Sequence, residues 1–155
     1  MKFIDEIKAR AKQDVKTIVL PETRDKRTLI AAAQVLKEGT AKIVMVGDEE
    51  KIKDGAHWLD VELDGITVVN PETSPKLDEY VNLLYELRKK KGMTLESARE
   101  QLLNNYIMFG VMMVKCKDAD GMVAGCCHAT ADVLRPSLQI LKTAPGTELV
   151  SGFFI

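Results

Sequence analysis

The side chains of this sequence that could do chemistry are concentrated in one stretch, DGMVAGCCHATADVLRPSLQ, at residues 120–139. Two adjacent cysteines, Cys126 and Cys127, precede His128, and Arg135 follows on the C-terminal side. These residue types are compatible with three kinds of site. They could hold a metal ion, form a histidine-activated thiol nucleophile, or belong to a loop whose backbone binds an anion.

A zinc site has the least support of the three. Cys126, Cys127 and His128 lack the Cys-x-x-Cys spacing of structural zinc sites. If these residues end a strand, adjacent side chains point in opposite directions and do not share one ion easily. Only Cys116 and His57 remain as distant partners. We therefore predict no metal ion here.

A thiol nucleophile is harder to exclude. A cysteine just before a helix can have a lowered pKa, and His128 could act as its base. Neither residue type is diagnostic without its spatial partners. We favour the simpler interpretation, in which Cys126 and Cys127 are small residues that keep the loop compact.

An anion-binding loop agrees best with the predicted elements. A buried strand is predicted to end at Gly125 and a helix to begin near Thr130 or Asp132, which would present free N–H groups to a phosphate. Thr130 adds a hydroxyl group. Arg135 adds a guanidinium group, which can bind two phosphate oxygens at once. Helix capping by Thr130 and a surface ion pair of Arg135 remain alternatives. Pro136 should be tolerated only within about the first helical turn.

Other polar residues are weaker candidates for a site. Glu22, Arg24 and Asp25 follow the first predicted strand and could line a cleft, although capping and surface pairing explain them equally well. Arg88 and Lys91 could bind a phosphate tail, but a solvated helix end is the better interpretation from the residues alone. No glycine-rich dinucleotide or P-loop motif is present.

The elements that must position these residues alternate along the chain. Uniformly apolar runs predict buried strands at 16–22, 41–48, 65–71, 121–125 and 148–155. The intervening segments predict helices: 2–13, 25–39, a short polar helix broken at Gly55, one opened by Ser74 and Pro75 and ended by Gly92, one capped by Thr94 and continued or restarted through about 120, and one over 131–143.

Strands that are apolar on both faces indicate a mostly parallel sheet in a three-layer α/β sandwich, with ligands at the carboxyl ends of the strands. We predict a single α/β domain over 1–155. Because the last predicted strand has no polar tail, we expect the chain to be the N-terminal part of a longer protein. Trp58 and the methionines at 108, 112 and 113 are predicted to lie in the core.

Composition excludes several classes of protein. The chain has 155 residues, 46% of them hydrophobic and 29% charged, with a formal net charge of -1. A near-neutral chain gives no electrostatic reason to bind nucleic acid or an anionic membrane. No stretch approaches the ~20 apolar residues of a membrane span. Three cysteines, an odd number, indicate a reducing compartment, so we predict a cytoplasmic protein.

The segments IVLPETRDKRTLIAA, ELRKKKGMT, DGMVAGCCHATADVLRPSLQILKTAPG and SGFFI resemble the phosphate acetyltransferase family, close relatives of the phosphate butyryltransferases. The stretch 119–155 is the most specific part. The resemblance implies a two-domain, commonly dimeric enzyme with the isocitrate/isopropylmalate-dehydrogenase-like fold and an interdomain cleft. It also implies reversible acetyl transfer between acetyl-CoA and phosphate, giving acetyl phosphate and CoA, with no cofactor beyond these substrates.

The resemblance also assigns substrate-binding residues. Arg135 matches a cleft arginine, and Arg88 matches one implicated in holding CoA phosphates. His128, Ala129 and Thr130 match the loop against the acetyl phosphate group. Many members carry Ser or Thr in place of Ala129, so Thr130 must supply the hydroxyl.

The family's catalytic aspartate and Ser-Arg pair belong to a C-terminal part that this chain lacks. The catalytic residues of this protein are therefore unknown, and we expect the 155-residue chain alone to be inactive. A phosphate butyryltransferase and a non-catalytic acetyl-CoA-sensing domain, like the one attached to some malic enzymes, remain alternatives.

Overall fold

The computed structural model describes residues 2–151, which alternate between helices and short strands. The elements are α1 (Lys2–Gln13), β1 (Lys16–Leu20), α2 (Lys26–Glu38), β2 (Ala41–Val46), α3 (Glu49–Trp58), β3 (Thr67–Val69), α4 (Leu77–Arg88), α5 (Leu95–Asn104), α6 (Tyr106–Lys115), β4 (Gly121–Met122) and α7 (Thr130–Ile140). A single 3₁₀ turn, Lys89–Lys91, follows α4.

The four strands form one parallel sheet in the order β3-β2-β1-β4. Ile18 in β1 is paired with Ile43 of β2 on one side and with Gly121 of β4 on the other. The first and last strands are therefore neighbours, although most of the chain lies between them. Since all strands run in one direction, the segments that follow them meet at one edge of the sheet.

Side chains alternate across β2 and divide the core into two clusters. Ile43 and Met45 face α2 and α3, where they meet Leu29, Ala32 and Ile52. Val44 and Val46 face the opposite side, where the cluster is formed mainly by α4, α5 and α6. Helices thus cover both faces of the sheet, which confirms the predicted three-layer α/β sandwich and explains why the strands are apolar on both faces.

Helix α6 lies unusually close to the sheet. A Cβ atom at Gly110 would stand 2.8 Å from Met122 Sδ and 3.1 Å from Val19 Cγ1, so only glycine fits without a shift. The methionines at 108, 112 and 113 are buried as predicted. This close contact holds the middle of α6 against β1 and β4.

Several predicted boundaries are confirmed, and others are wrong. Gly39 ends α2 in a left-handed conformation, and Thr94 caps α5 together with Ser97. Asn105 separates α5 from α6 and caps the latter, so the helix predicted here restarts. Helix α3 runs through Gly55 without a break, contrary to the prediction.

The prediction that Trp58 belongs to the core is wrong, because its side chain is 81% exposed. Helix α3 buries Ile52 and Ala56, which are one turn apart. Trp58 comes two residues after Ala56, and residues two apart do not share a helix face. It therefore projects away from the sheet.

Two more boundaries differ from the prediction. Helix α4 begins at Leu77, and Ser74 Oγ accepts a hydrogen bond from the N–H of Lys76 in the turn before it, so Pro75 lies outside the helix. Residues 148–151 are not in a strand, and the rest of the predicted last strand, 152–155, lies outside the described residues. No helix within residues 2–151 has the length and apolar character needed to cross a membrane.

Candidate functional site

A cavity of about 770 Å³ opens at the carboxyl edge of the sheet. It brings together Arg88 at the end of α4, His128 before α7 and Arg135 within α7. Arg24, after β1, lines the same cavity. Thr130 is the first residue of α7 and is exposed, but it is not among the lining residues. Three of the four predicted site residues thus share one cleft.

Three arginines give this cleft its capacity to bind anions. Within residues 2–151 the arginine ion pairs involve Arg27 and Arg99, so Arg24, Arg88 and Arg135 keep their guanidinium groups for other partners. The guanidinium carbon of Arg24 lies 6.0 Å from the ring centroid of Tyr106, within reach of a cation–π contact. Three carboxylates, Glu22, Glu72 and Asp132, also line the cleft.

Glu22 forms the centre of the hydrogen-bond network beside these arginines. Its carboxylate accepts hydrogen bonds from the backbone N–H groups of Gly125 at 2.7 Å, Cys126 at 2.9 Å and Cys127 at 3.1 Å. The Nδ1 atom of His128 lies 2.7 Å from the same carboxylate. The side chain of Glu22 is only 2% exposed, although it carries a charge.

The pairing of β1 with β4 makes this contact possible. The N–H of Val123 donates to the carbonyl of Val19 at 3.0 Å, so the chain after β4 runs beside the chain after β1. Gly125 has a φ of +109°, a conformation that favours glycine, and this bend turns three successive N–H groups toward Glu22. Sequence reasoning ranked Glu22 as a weak candidate, because only the order of the strands reveals its partners.

The 125–128 loop therefore binds an anion, but the anion is the protein's own carboxylate. These N–H groups differ from the ones that the sequence offers to phosphate, which lie at the start of the following helix. The first N–H groups of a helix have no carbonyl partner within it, and in α7 these belong to Thr130 and Ala131. Ala129 caps this helix without a side-chain hydrogen bond.

Pro136 lies inside α7, beyond the first turn in which the sequence predicts that proline is tolerated. Its side chain is buried and lines the floor of the cleft.

The pKa of Glu22 is set by opposing effects. Burial raises this pKa, but hydrogen bonds from His128 and from the backbone of Cys126 and Cys127 outweigh it and hold the pKa well below its usual value of 4.5. The carboxyl group is therefore ionised at neutral pH and can only accept hydrogen bonds. It follows that His128 donates through a protonated Nδ1.

The two cysteines lie in the same network. Cys126 Sγ is 3.4 Å from Thr28 Oγ1, and Cys127 Sγ is 3.4 Å from Glu22 Oε1. Burial and the nearby carboxylate raise the pKa of Cys127 to about 11. The thiol therefore stays protonated at neutral pH, and a protonated thiol is a poor nucleophile.

The argument from opposite side-chain directions against a metal site is wrong. The ligand atoms of Glu22, Cys126 and Cys127 lie within 4.8 Å of one another, because these cysteines belong to a bend rather than a strand end. The donor set nevertheless suits a metal ion poorly. The carboxylate already accepts five hydrogen bonds, one of them from the Cys127 thiol, and the raised pKa of Cys127 opposes the thiolate form that a metal requires.

A second side chain after β1 also holds the loop. Arg27 Nη2 donates a hydrogen bond to the carbonyl oxygen of Cys126 at 2.6 Å and pairs with Asp25 at 2.7 Å. Asp25 also caps α2, so it acts both as a helix cap and as the partner of Arg27, and it is not among the residues that line the cleft. The hydrogen bonds from Arg27 lower the pKa of Asp25 to about 2.

Comparisons with known proteins agree on one family. The profile of the phosphate acetyl/butaryl transferase family matches residues 2–155. A phosphate acetyltransferase from Acetivibrio thermocellus is 54% identical over all 155 residues, which make up 46% of that relative. A phosphotransacetylase structure from Staphylococcus aureus matches with a TM-score of 0.86 and 39% identity, over 96% of this chain and 44% of that one.

A phosphotransacetylase structure from Streptococcus pyogenes matches with a TM-score of 0.89 and 35% identity, again over 96% of this chain and 44% of that one. The chain thus spans less than half the length of these relatives.

Proposed function

Since the chain belongs to the phosphate acetyl/butaryl transferase family, we propose that the complete protein transfers an acetyl group reversibly between acetyl-CoA and inorganic phosphate. The products are acetyl phosphate and CoA. The family match over residues 2–155 carries this proposal, and the arginine-lined cleft supports it. All substrates of the reaction bear phosphate groups, which suit unpaired guanidinium groups.

In the proposed reaction the role of this chain is to bind the substrates, and no side chain of it acts as a nucleophile. A CoA thiolate attacks the acetyl carbonyl of acetyl phosphate, the carbon–oxygen bond to phosphate breaks, and phosphate leaves with the electron pair. Arg135 and the start of α7 would hold the phosphoryl oxygens, and Arg88 the phosphates of CoA. Positioning and charge stabilisation of this kind supply much of the rate in such transfers.

The remaining parts of the proposal rest on the family resemblance. Thr130 would contribute its hydroxyl from the first residue of α7, and the catalytic base would come from outside this chain. We also propose a homodimer in the cytoplasm that binds neither nucleic acid nor membranes and needs no metal or organic cofactor.

The test of the function is acetyl-CoA formation from acetyl phosphate and CoA by the complete natural protein, assayed with a chelator present. We expect Arg135→Ala to lower kcat/KM by about 10- to 1000-fold, because a charge-assisted contact is lost in the transition state. Arg99→Ala is the matched control, since its guanidinium pairs with Asp78 and lies outside the cleft. A change below twofold for Arg135→Ala would remove this residue from the site.

The family description also covers butyryl transfer, which makes a phosphate butyryltransferase the second candidate. Comparing kcat/KM for acetyl-CoA and butyryl-CoA, with phosphate as acceptor, decides between the two. Binding of acetyl-CoA in a calorimeter without turnover of either substrate would contradict both enzymes and support a sensing domain.

A further inference from the structure

The contact between Glu22 and His128 has a consequence for the cleft. His128 and Glu22 both line the cavity, but the side chain of His128 is 42% exposed and that of Glu22 only 2%. With Nδ1 donating to Glu22 at 2.7 Å, the polar ring atom left for a ligand is Nε2. In the neutral imidazole Nε2 then carries the lone pair and accepts hydrogen bonds.

Glu22 also fixes where this imidazole stands. The same carboxylate receives the N–H groups of the three residues that precede His128, at 2.7, 2.9 and 3.1 Å. The backbone on which His128 is mounted and the ring itself are therefore held by one buried group. Such an arrangement specifies both the position of the ring and its tautomer.

We propose that Glu22 is a positioning residue, which holds the 125–128 loop and presents Nε2 of His128 to the phosphoryl group bound in the cleft. This inference rests on the proposed acyl transfer and deepens it. Nε2 pairs with the proton-bearing oxygen of phosphate, and the arginines take the oxygens that carry charge. Glu22 itself touches no substrate.

The first test reads the tautomer directly and needs no activity. The complete protein is labelled with ¹⁵N-histidine, and imidazole nitrogen shifts are recorded at about pH 9, well above the usual range for protonation of an imidazole. The signals of His57 and His128 are assigned by their loss in His57→Gln and His128→Gln. We expect His128 to show the Nδ1–H form, whereas free histidine favours Nε2–H. A wild-type His128 in the Nε2–H form would overturn the proposal.

The second test changes Glu22 and separates positioning from general damage. In Glu22→Gln the amide oxygen keeps the N–H groups of Gly125 and Cys126, which share Oε2 in the wild type, so the NH₂ takes the place of Oε1 and faces Nδ1 of His128. Since the NH₂ can only donate, Nδ1 must then accept. We expect the Nδ1–H signature to be lost and kcat/KM for inorganic phosphate, with acetyl-CoA as co-substrate, to fall about 10- to 100-fold, while KM for acetyl-CoA changes less than threefold. A misplaced phosphoryl contact explains this split, whereas loosening of the whole cleft would raise both KM values together.

Asp48→Asn is the matched control, because it removes the same charge from a carboxylate that accepts backbone N–H groups elsewhere. It should leave the His128 signature and both KM values unchanged. An unchanged tautomer in Glu22→Gln, or equal increases in both KM values, would overturn the positioning role. Absence of acetyl transfer by the wild-type protein would contradict the proposed function alone, since the tautomer of His128 is still measured.

Discussion

Glu22 and Asp48 are carboxylates that follow neighbouring strands at the same edge of the sheet, but their contacts differ. Asp48 accepts the N–H groups of Glu50 and Lys51, at the start of the helix it caps, and its side chain is 40% exposed. Glu22 accepts N–H groups more than a hundred positions away in the sequence and is almost completely buried. One carboxylate serves a local element, and the other joins two distant segments.

This difference shows where the cleft obtains its rigidity. A cap such as Asp48 stabilises one helix end and can exchange its hydrogen bonds with water. Glu22 is shielded from water and fixes the loop that carries His128, so water can replace only part of its contacts. We therefore expect changes at Glu22 to affect stability and function together, and changes at Asp48 to affect only the local helix end.

The largest difference should appear when each carboxylate is removed. Glu22→Ala leaves three N–H groups and an imidazole without their charged partner. Hydrogen bonds to a charged group contribute about 1.5–3 kcal/mol each, and the exposed outer side of the loop lets water replace part of them, so we expect a loss of about 3 kcal/mol. Asp48→Ala should cost clearly less. Urea denaturation monitored by circular dichroism measures both.

Equal shifts of the urea midpoint for the two variants would contradict the comparison. Such a result would mean that water replaces Glu22 as readily as it replaces an exposed cap. An unchanged m-value in Glu22→Ala is the accompanying control, because it shows that the denatured state has the same exposure.

The dependence of the free energy of unfolding on pH should also distinguish the two carboxylates, by a smaller amount than their removal does. The pKa of Glu22 is lower in the folded chain than its usual 4.5, so the unfolded chain binds more protons in acid. The stability that Glu22 contributes is thus present near neutral pH and is lost as the pH falls below about 5. Glu22→Gln should lose less stability than the wild type between about pH 6 and pH 3.

The same measurement of stability between about pH 6 and pH 3, made on Asp48→Asn, is the control. The hydrogen bond from the backbone of Lys51 is the main cause that lowers the pKa of Asp48, but this carboxyl is open to solvent. Its removal should flatten the acid dependence less than Glu22→Gln does. A steeper or equal effect at Asp48 would show that the burial of Glu22 does not decide acid sensitivity.

Features that depend on local contacts could be predicted from the sequence, whereas features that depend on distant contacts could not. The turn at Gly39, the cap at Thr94 and the buried methionines of α6 are local patterns, and they were predicted correctly. The three-layer sandwich followed from strands that are apolar on both faces. The prediction for Trp58 was wrong because it rested on hydrophobicity alone and not on which face of α3 the residue occupies.

The candidate site was predictable only in part. The resemblance selected Arg88, His128 and Arg135, and these three meet in one cleft. The place of Glu22 depends on β1 lying next to β4, and one sequence does not contain that order. A buried carboxylate that accepts distant backbone groups leaves no periodic signal, so its partners could be seen only in three dimensions.

The smallest change in the free energy of unfolding is expected for Asp48→Asn. Asparagine is about as good an N-cap as aspartate, because its side-chain oxygen accepts the same backbone hydrogen bonds. What is lost is the charge beside the helix N-terminus and the 3.6 Å ion pair with Lys51, and both act at an exposed site. The shift of the urea midpoint should be small at low salt and should vanish at about 1 M NaCl, where exposed charges are screened. A shift that persists in salt would mean that Asp48 is held in place as Glu22 is, and the distinction between the two carboxylates would then fail.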